Sequence, residues 1–444
     1  MAMVLLGMIL RLLPLILNWN HVTIFMENDS WGYHNIGANL ALGRGYSQLR
    51  QSPYEPDVYR PPGYPVIIAI VYGLVGEIPQ AVIVLQIVFS VATIPLTFLA
   101  GRLVSDVRTG LWAALLLAID PLSITYANLL LTEAFSALAV TSIFLLLACY
   151  WRDQGLMQLW LGALLMSAAI IVHPVMLLAP ALFLVLPICA KSLRTRRALF
   201  MSLSACLIAW TPASLWILRN ARVADYPDIS CVTAVNVLKY KAAGVRAELR
   251  GTSREVERDR LVEELERSAA PGASRGDIWQ SWKGKGWEVI RNHPIIYAKL
   301  HLHGMLIELF GPGRDGLARF LYGSDNVLDE SGDVSDELIH RAVTAQSTMA
   351  LDGVRWGALT IQILVFALQA MGTVLLVVRR RFGALAALWL PAIYVLALSG
   401  GPESFCRFRV SYMPLLCIVA SFGITGMLST GTRSRAALCN AFRG

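Results

Sequence analysis

Residues Glu27–Pro65, ENDSWGYHNIGANLALGRGYSQLRQSPYEPDVYRPPGYP, decide how this chain is read. The stretch is polar and long. It follows an apolar run at the N-terminus and precedes a chain made mostly of further apolar runs. A segment of this kind between membrane spans is where chemistry or recognition sits. Ser30 or Asp29 can cap a helix predicted from about Trp31 to Leu42, with Tyr33, Ile36, Gly37 and Leu40 at helical spacing. Such a helix would lie along the membrane surface, with Trp31 and Tyr33 at headgroup level. Asp29 then has two readings, helix cap or catalytic carboxylate, and spacing does not choose between them.

The surrounding composition excludes an ordinary soluble domain. Of 444 residues, 56% are hydrophobic and only 15% charged, which places the chain among polytopic membrane proteins. The net charge of +8 fits inner-loop Lys and Arg in such a protein, and no nucleic-acid partner is expected. Cys149, Cys189, Cys206 and Cys417 fall in apolar runs and read as small core residues. Cys231 and Cys406 fall in segments expected outside the membrane, which leaves one disulfide open. Arg11 interrupts the first apolar run, so an uncleaved first span fits better than a signal peptide. Its side chain either snorkels to a headgroup, the reading preferred here, or pairs inside the bundle.

Apolar windows occur near 2–20, 80–100, 111–128, 130–150, 156–172, 174–190, 199–218, 352–378, 382–400 and 409–428. The expected fold is all-α, a polytopic bundle of about ten spans, seven in an N-terminal module and three after it. Tyr64–Val75 is too short to span and reads as interfacial or re-entrant. Pro294–Phe310, with Lys299, His301, His303 and Glu308, reads as a surface helix. Arg102, Arg108, Arg152, Lys191-Arg194-Arg196-Arg197, Arg379-Arg380-Arg381 and Arg433-Arg435-Arg443 then share one side, the cytoplasm by the positive-inside rule. Three parts follow: 1–218, a transmembrane module with outer loop 26–79; 219–351, an outer region with an interfacial helix at 294–310; and 352–444, the last spans and a basic cytoplasmic tail. Within the outer region, Arg246–Arg267 reads as one solvated, highly charged helix with Leu249, Val256, Leu261 and Leu265 at helical spacing.

The motif order carries a resemblance. Asp29 follows the first span, with Tyr33 four positions on. Then come Ala38-Asn39-Leu40-Ala41-Leu42-Gly43-Arg44-Gly45-Tyr46 and Arg60-Pro61-Pro62-Gly63-Tyr64-Pro65. Trp216-Ile217-Leu218-Arg219-Asn220 opens the long outer region, and Arg407-Phe408-Arg409 precedes the last span. This order resembles the GT-C membrane glycosyltransferases, the group of dolichyl-phosphate-mannose protein mannosyltransferases and the lipid A aminoarabinose transferase. The resemblance implies a catalytic role for Asp29, a site role for Glu133, and an inverting displacement. Ser30 stands where many relatives have a second acid, so an acid pair is not implied.

Sugar transfer from a lipid phosphate needs a carboxylate to deprotonate the nucleophile and cations to hold the departing phosphate. The expected catalytic residues are Asp29 and Glu133. The expected substrate-binding residues are Tyr33, Arg60, Tyr64, Arg219, Arg407 and Arg409. Glu27 reads as a solvated loop charge. Arg offers a planar fork suited to phosphate oxygens, although paired Arg at a membrane edge also serves headgroup contact. Glu133 equally suits a helix N-terminus, where the dipole favours it. No metal ligand set is legible, and the cofactor is left unknown, a divalent metal included. The partners expected are a polyprenyl-phosphate-sugar donor, a glycan, lipid or protein acceptor, and the bilayer. The expected setting is multi-pass, in a bacterial inner membrane, with the site facing outward. A transporter or flippase of lipid-linked sugars is the rival, but it should show ionisable or broken spans in matching halves, and none is visible. A catalytically dead scaffold is the second rival.

Overall fold

The structure is a computed structural model that describes residues 1–441 apart from 154, 185–194, 271, 312, 314–315, 318 and 322–348. The Lys191–Arg194 part of the basic cluster, most of the segment 311–350 and Arg443 lie outside the described residues. Among the described residues every regular element is helical. In chain order these are α1 (Ala2–Leu17), α2 (Asn28–Ala41), α3 (Gly63–Val75), α4 (Pro79–Val104), α5 (Val107–Ala118), α6 (Pro121–Ala127), α7 (Glu133–Asp153), α8 (Leu156–Val172) and α9 (Arg196–Ala224). There follow α10 (Ala243–Arg250), α11 (Arg254–Ser268), α12 (Arg275–Asn292), α13 (Pro294–Phe310), α14 (Met349–Val378), α15 (Phe382–Ser399) and α16 (Met413–Ala441).

Five helices are long and apolar enough to cross a bilayer: α4, α7, α9, Asp352–Val378 within α14, and α15. A sixth span results if α5 and α6, bent by 56° at their break, are taken together. Shorter apolar helices cover Ala2–Leu17, Gly63–Val75, Leu156–Val172, Pro174–Leu184 and Met413–Leu428. A polytopic helical bundle is therefore plain, and length alone supports five or six spans, fewer than the ten expected. The shortfall has local causes. Pro121 follows Asp120, whose carboxylate caps α6 by accepting from Ser123 N at 2.8 Å, so one apolar run becomes two helices.

That break explains Arg11. The carbonyls at the end of α5 lose their helical partners, and inside a membrane bundle they must find others. Arg11 supplies them. It is fully buried, donating to Leu117 O at 3.1 Å, Ala118 O at 3.0 Å, Gly7 O at 3.1 Å and Ser90 Oγ at 2.8 Å. The snorkelling preferred from sequence is thus overturned, because the cation has neutral acceptors within reach and no need of a headgroup.

Small residues set the close helix crossings. A side chain at Gly110 would collide with the Phe98 carbonyl of α4, and one at Gly372 of α14 with the Val419 carbonyl of α16. The two basic loops at 104–108 and 379–381 lie at one end of this bundle, since Arg381 donates to Val104 O at 3.2 Å and Ser105 Oγ at 3.3 Å.

Beyond α9, helices α10–α13 pack around Leu238, Ala242, Ala243, Val245, Leu261 and Val289. The single charged helix expected over Arg246–Arg267 is two. Gly251 takes a left-handed φ of 64° at the end of α10, and Ser253 Oγ caps α11 by accepting from Val256 N at 3.3 Å. Cys231 and Cys406 are both free thiols, so no disulfide joins them.

Candidate active site

The site begins at the start of α2. Glu27, not Asp29 or Ser30, occupies the cap position, and its N–H donates to Ser30 Oγ at 2.9 Å. Ser30 thereby serves the helix start and leaves the Asp29 carboxylate free to face elsewhere. Glu27 is not a solvated charge either. Its carboxylate pairs with Arg319 Nη1 at 2.7 Å, and Arg319 also donates to Met26 O at 3.0 Å. Tyr33 turns inward and is only 8% exposed, which overturns its expected place at the headgroups.

The second part is the turn before α3. Asp57 Oδ2 accepts from the N–H groups of Tyr59 at 3.0 Å and Arg60 at 2.9 Å, and Oδ1 accepts from Gln48 Nε2 at 2.8 Å. A carboxylate closing its own backbone this way fixes a turn without secondary structure. Tyr46 Oη donates to Arg60 O at 2.9 Å, and Arg219 Nη1 donates to Asp57 O from beneath. The Arg60 guanidinium then lies over two rings, 4.7 Å from the centroid of Tyr33 and 4.8 Å from that of Tyr59. Tyr33 is in turn edge-on to Tyr64, centroids 5.0 Å apart, and Tyr64 Oη donates to Gln86 of α4.

The third part is the 3₁₀ turn Cys406–Ser411 before α16. It presents Arg407 and Arg409 in different directions. Arg407 Nη2 meets Asp29 Oδ2 at 2.8 Å, while Arg60 Nη2 meets Asp29 Oδ1 at 2.8 Å. One carboxylate therefore bridges two guanidinium groups from opposite ends of the chain. Glu133, the first residue of α7 and nearly buried, places Oε1 3.8 Å from Arg407 Nε. Its Oε2 is buried with no hydrogen-bond partner, as is Arg60 Nε.

Electrostatics follow from this packing. Burial alone would raise the Asp29 carboxyl, but the facing Arg407 and Arg60 outweigh it and hold it well below the usual carboxylate range. The Asp29 side chain is nevertheless 31% exposed, against 9% for Arg60 and 20% for Arg407, so the carboxylate opens outward while the cations back it. Such an arrangement sets a proton acceptor, Asp29, beside two guanidinium groups able to bind an anion.

Of the residues singled out from sequence, the structure brings together Asp29, Glu133, Tyr33, Arg60, Tyr64 and Arg407. It does not bring in Arg409, which is 1% exposed and donates to Glu308 O, Leu309 O and Gly311 O at 3.2, 2.6 and 3.0 Å. Those are the carbonyls at the end of α13, so Arg409 caps a helix. Arg409 also leaves its Nε unpaired, so the charge of the partner separates the two arginines, not a spare donor. Arg219 supports the site from outside it, under Asp57. Tyr33 and Tyr64 carry Arg60 and do not form an open surface.

Sequence reading missed Asp57, Tyr59 and Arg319. Asp three positions before Arg60 was a legible turn signal. Glu308, read from sequence among the polar residues of a surface helix, is instead fully buried and accepts from Ser399 Oγ at 2.6 Å, Ser404 Oγ at 3.2 Å and Tyr412 Oη at 3.1 Å. Among the described residues no group of three or more His, Cys, Asp or Glu is placed to hold a metal ion.

Residues 59–216 match the family described as dolichyl-phosphate-mannose-protein mannosyltransferase. No curated protein matches the chain in sequence. In fold, the chain overlays the apo oligosaccharyltransferase of Archaeoglobus fulgidus with a TM-score of 0.52 at 13% identity, covering 99% of this chain and 52% of that one. The same archaeal enzyme in complex with Zn and sulfate gives 0.50 at 14% identity, covering 98% and 51%. ArnT from Cupriavidus metallidurans gives 0.42 at 13%, covering 95% and 76%. The chain spans about half the length of the archaeal enzyme it overlays.

Proposed function

We propose, from the premise that this chain is similar to the GT-C membrane glycosyltransferases in sequence over 59–216 and in fold along its length, that it transfers one sugar from a polyprenyl phosphate to an acceptor at the outer face of a membrane. The observation that carries the reading is Asp29 held between Arg60 and Arg407. Both cations suit a phosphate better than they suit a single carboxylate, because each offers a planar fork to more than one oxygen. An arriving donor phosphate takes up these forks and loosens their hold on Asp29. The carboxylate then rises toward its ordinary basicity at the moment a base is needed.

The step balances simply. The acceptor oxygen forms a bond to the anomeric carbon and its proton passes to Asp29. The bond from that carbon to the phosphate oxygen breaks, and the electron pair leaves as polyprenyl phosphate, stabilised by Arg60 and Arg407. Glu133 orients Arg407 across the 3.8 Å between them. The configuration inverts, as the resemblance implies.

Ten spans with the site outward fit this reading. The five long helices, the bent pair, and the short apolar helices other than Gly63–Val75 coincide one for one with the ten windows in the sequence. The basic loops joined by Arg381 support the opposite end as the cytoplasmic one. A bacterial inner membrane is the setting proposed. For a flippase, a cation among the spans should be available to cargo, and Arg11 is wholly engaged by carbonyls and Ser90. The test is to incubate purified protein in detergent with a panel of polyprenyl-phosphate sugars together with glycan, lipid and peptide acceptors, and to follow release of the polyprenyl phosphate. Release by the wild type with at least one donor is expected. Silence across the panel, with intact folded protein, would contradict the enzyme reading.

A further inference from the structure

Beside Tyr59 lies a cleft of about 380 Å³ between the 48–59 segment and the first turns of α12. Six of its lining residues matter: Gln48, Glu55, Asp57, Tyr59, Arg275 and Trp279. Tyr59 lends one ring, with Arg60 stacked on it at 4.8 Å. Trp279 lends another, seated edge-on against the buried Tyr226 with centroids 5.6 Å apart and with the Arg275 guanidinium over its ring at 5.1 Å. Glu55 and Arg275 form an exposed pair at 3.1 Å across the mouth. The floor is rigid, because Asp57 is closed onto its own turn and onto Gln48.

We infer that this cleft is the acceptor subsite and that the acceptor it takes is a neutral carbohydrate; the inference rests on the transferase reading above. Three features select that class. Two partly exposed rings, each with a guanidinium on one face, leave the opposite face for the C–H bonds of a pyranose. A carboxylate and a guanidinium at the mouth offer both acceptor and donor to vicinal hydroxyls. The lining carries two acidic groups against one basic, which disfavours a phosphate and assigns the charged donor to the Arg60 and Arg407 side. The aliphatic part of the wall is limited to Leu49 and Pro56. The volume suits a small ligand, near the lower end of the ~300–1,000 Å³ usual for such pockets. Position completes the case. The ring that walls the cleft also carries the guanidinium that meets Asp29 at 2.8 Å, so the cleft adjoins the Arg60–Asp29 pair, and the reacting hydroxyl of a sugar seated there would extend past Arg60 to the base.

Saturation-transfer NMR on the full chain in detergent tests this with maltotriose, mannotriose, chitotriose and a Ser/Thr-containing hexapeptide in separate samples. Ring protons of at least one trisaccharide should saturate on the wild type. Signal should fall at least fivefold in Trp279→Ala and in Glu55→Gln, and persist in Arg267→Ala, a surface control on α11. Glu55→Gln guards against misfolding in Trp279→Ala, since Glu55 contributes only an exposed pair. No trisaccharide signal on the wild type, wild-type signal retained in either cleft variant, or Trp279-dependent signal from the hexapeptide alone would overturn the inference. The donor-release assay separates the two readings. Release without trisaccharide binding sinks the subsite alone, and cleft binding without release sinks the transferase while leaving a sugar site.

Discussion

Arg407 and Arg409 stand two positions apart on one 3₁₀ turn, and the chain uses them in opposite ways. Arg409 answers three neutral carbonyls at the end of α13, as Arg11 answers the carbonyls at the end of α5. Arg407 answers a carboxylate that Arg60 already holds. Carbonyls at a helix end have nowhere else to go, so those contacts are closed and serve the fold. A carboxylate shared by two cations is open to exchange, since another anion can take its place on either guanidinium. Burial alone does not distinguish a structural arginine from a functional one. What sets Arg407 apart from Arg409 and Arg11 is that it shares one carboxylate with a second arginine.

That contrast breaks first at Asp29. Asp29→Asn removes the base and should lower transfer by ~10²–10⁴-fold per folded molecule; donor release at matched folded protein reads it. Near wild-type turnover would put the base elsewhere. Next in size is Arg409→Leu, which strands the carbonyls of Glu308, Leu309 and Gly311. Unsatisfied buried groups cost about 1–3 kcal/mol each, so the thermal midpoint in detergent should drop clearly. Transfer per surviving molecule should change far less than in Arg407 variants. A stable but inactive Arg409→Leu would move that residue into the site.

Smaller again is Arg407→Lys. It keeps the charge and loses the fork, so donor affinity should weaken about tenfold, the worth of one charged hydrogen bond. An unchanged donor KM would reduce Arg407 to a headgroup contact.

The smallest effect concerns the clasp between α2 and α3. His34 Nδ1 lies 2.8 Å from Tyr72 Oη and Nε2 lies 3.2 Å from Glu77 Oε1. Burial lowers the His34 imidazole below its ordinary value despite the opposing Glu77. The unfolded chain therefore takes up its proton first on acidification, and stability is lost as pH falls below about 6.5. A small fall in thermal midpoint from pH 7 to 5 should vanish in His34→Gln. A fall of the same size in both proteins would assign it to other groups.

The sequence carried the bundle and the composition of the site further than its details. Asp29, Arg60 and Glu133 were legible because motif order fixes their place relative to the first spans. Arg407 and Arg409 were inseparable, because a two-residue offset on a short turn decides which faces α2 and which faces α13. Arg11 was misread because its partners arise only from the α5–α6 break. Asp57 was passed over since its role is to close a turn, and the Glu27–Arg319 pair joins residues too distant for any spacing to reveal.

The central claim, that donor phosphate takes the arginines from Asp29, is tested most directly by a cryo-EM structure of the chain with polyprenyl phosphate bound. The account predicts phosphate oxygens within hydrogen-bond reach of both Arg60 and Arg407, with at least one of the two 2.8 Å bridges to Asp29 opened. Phosphate bound elsewhere, with both bridges intact, would contradict it.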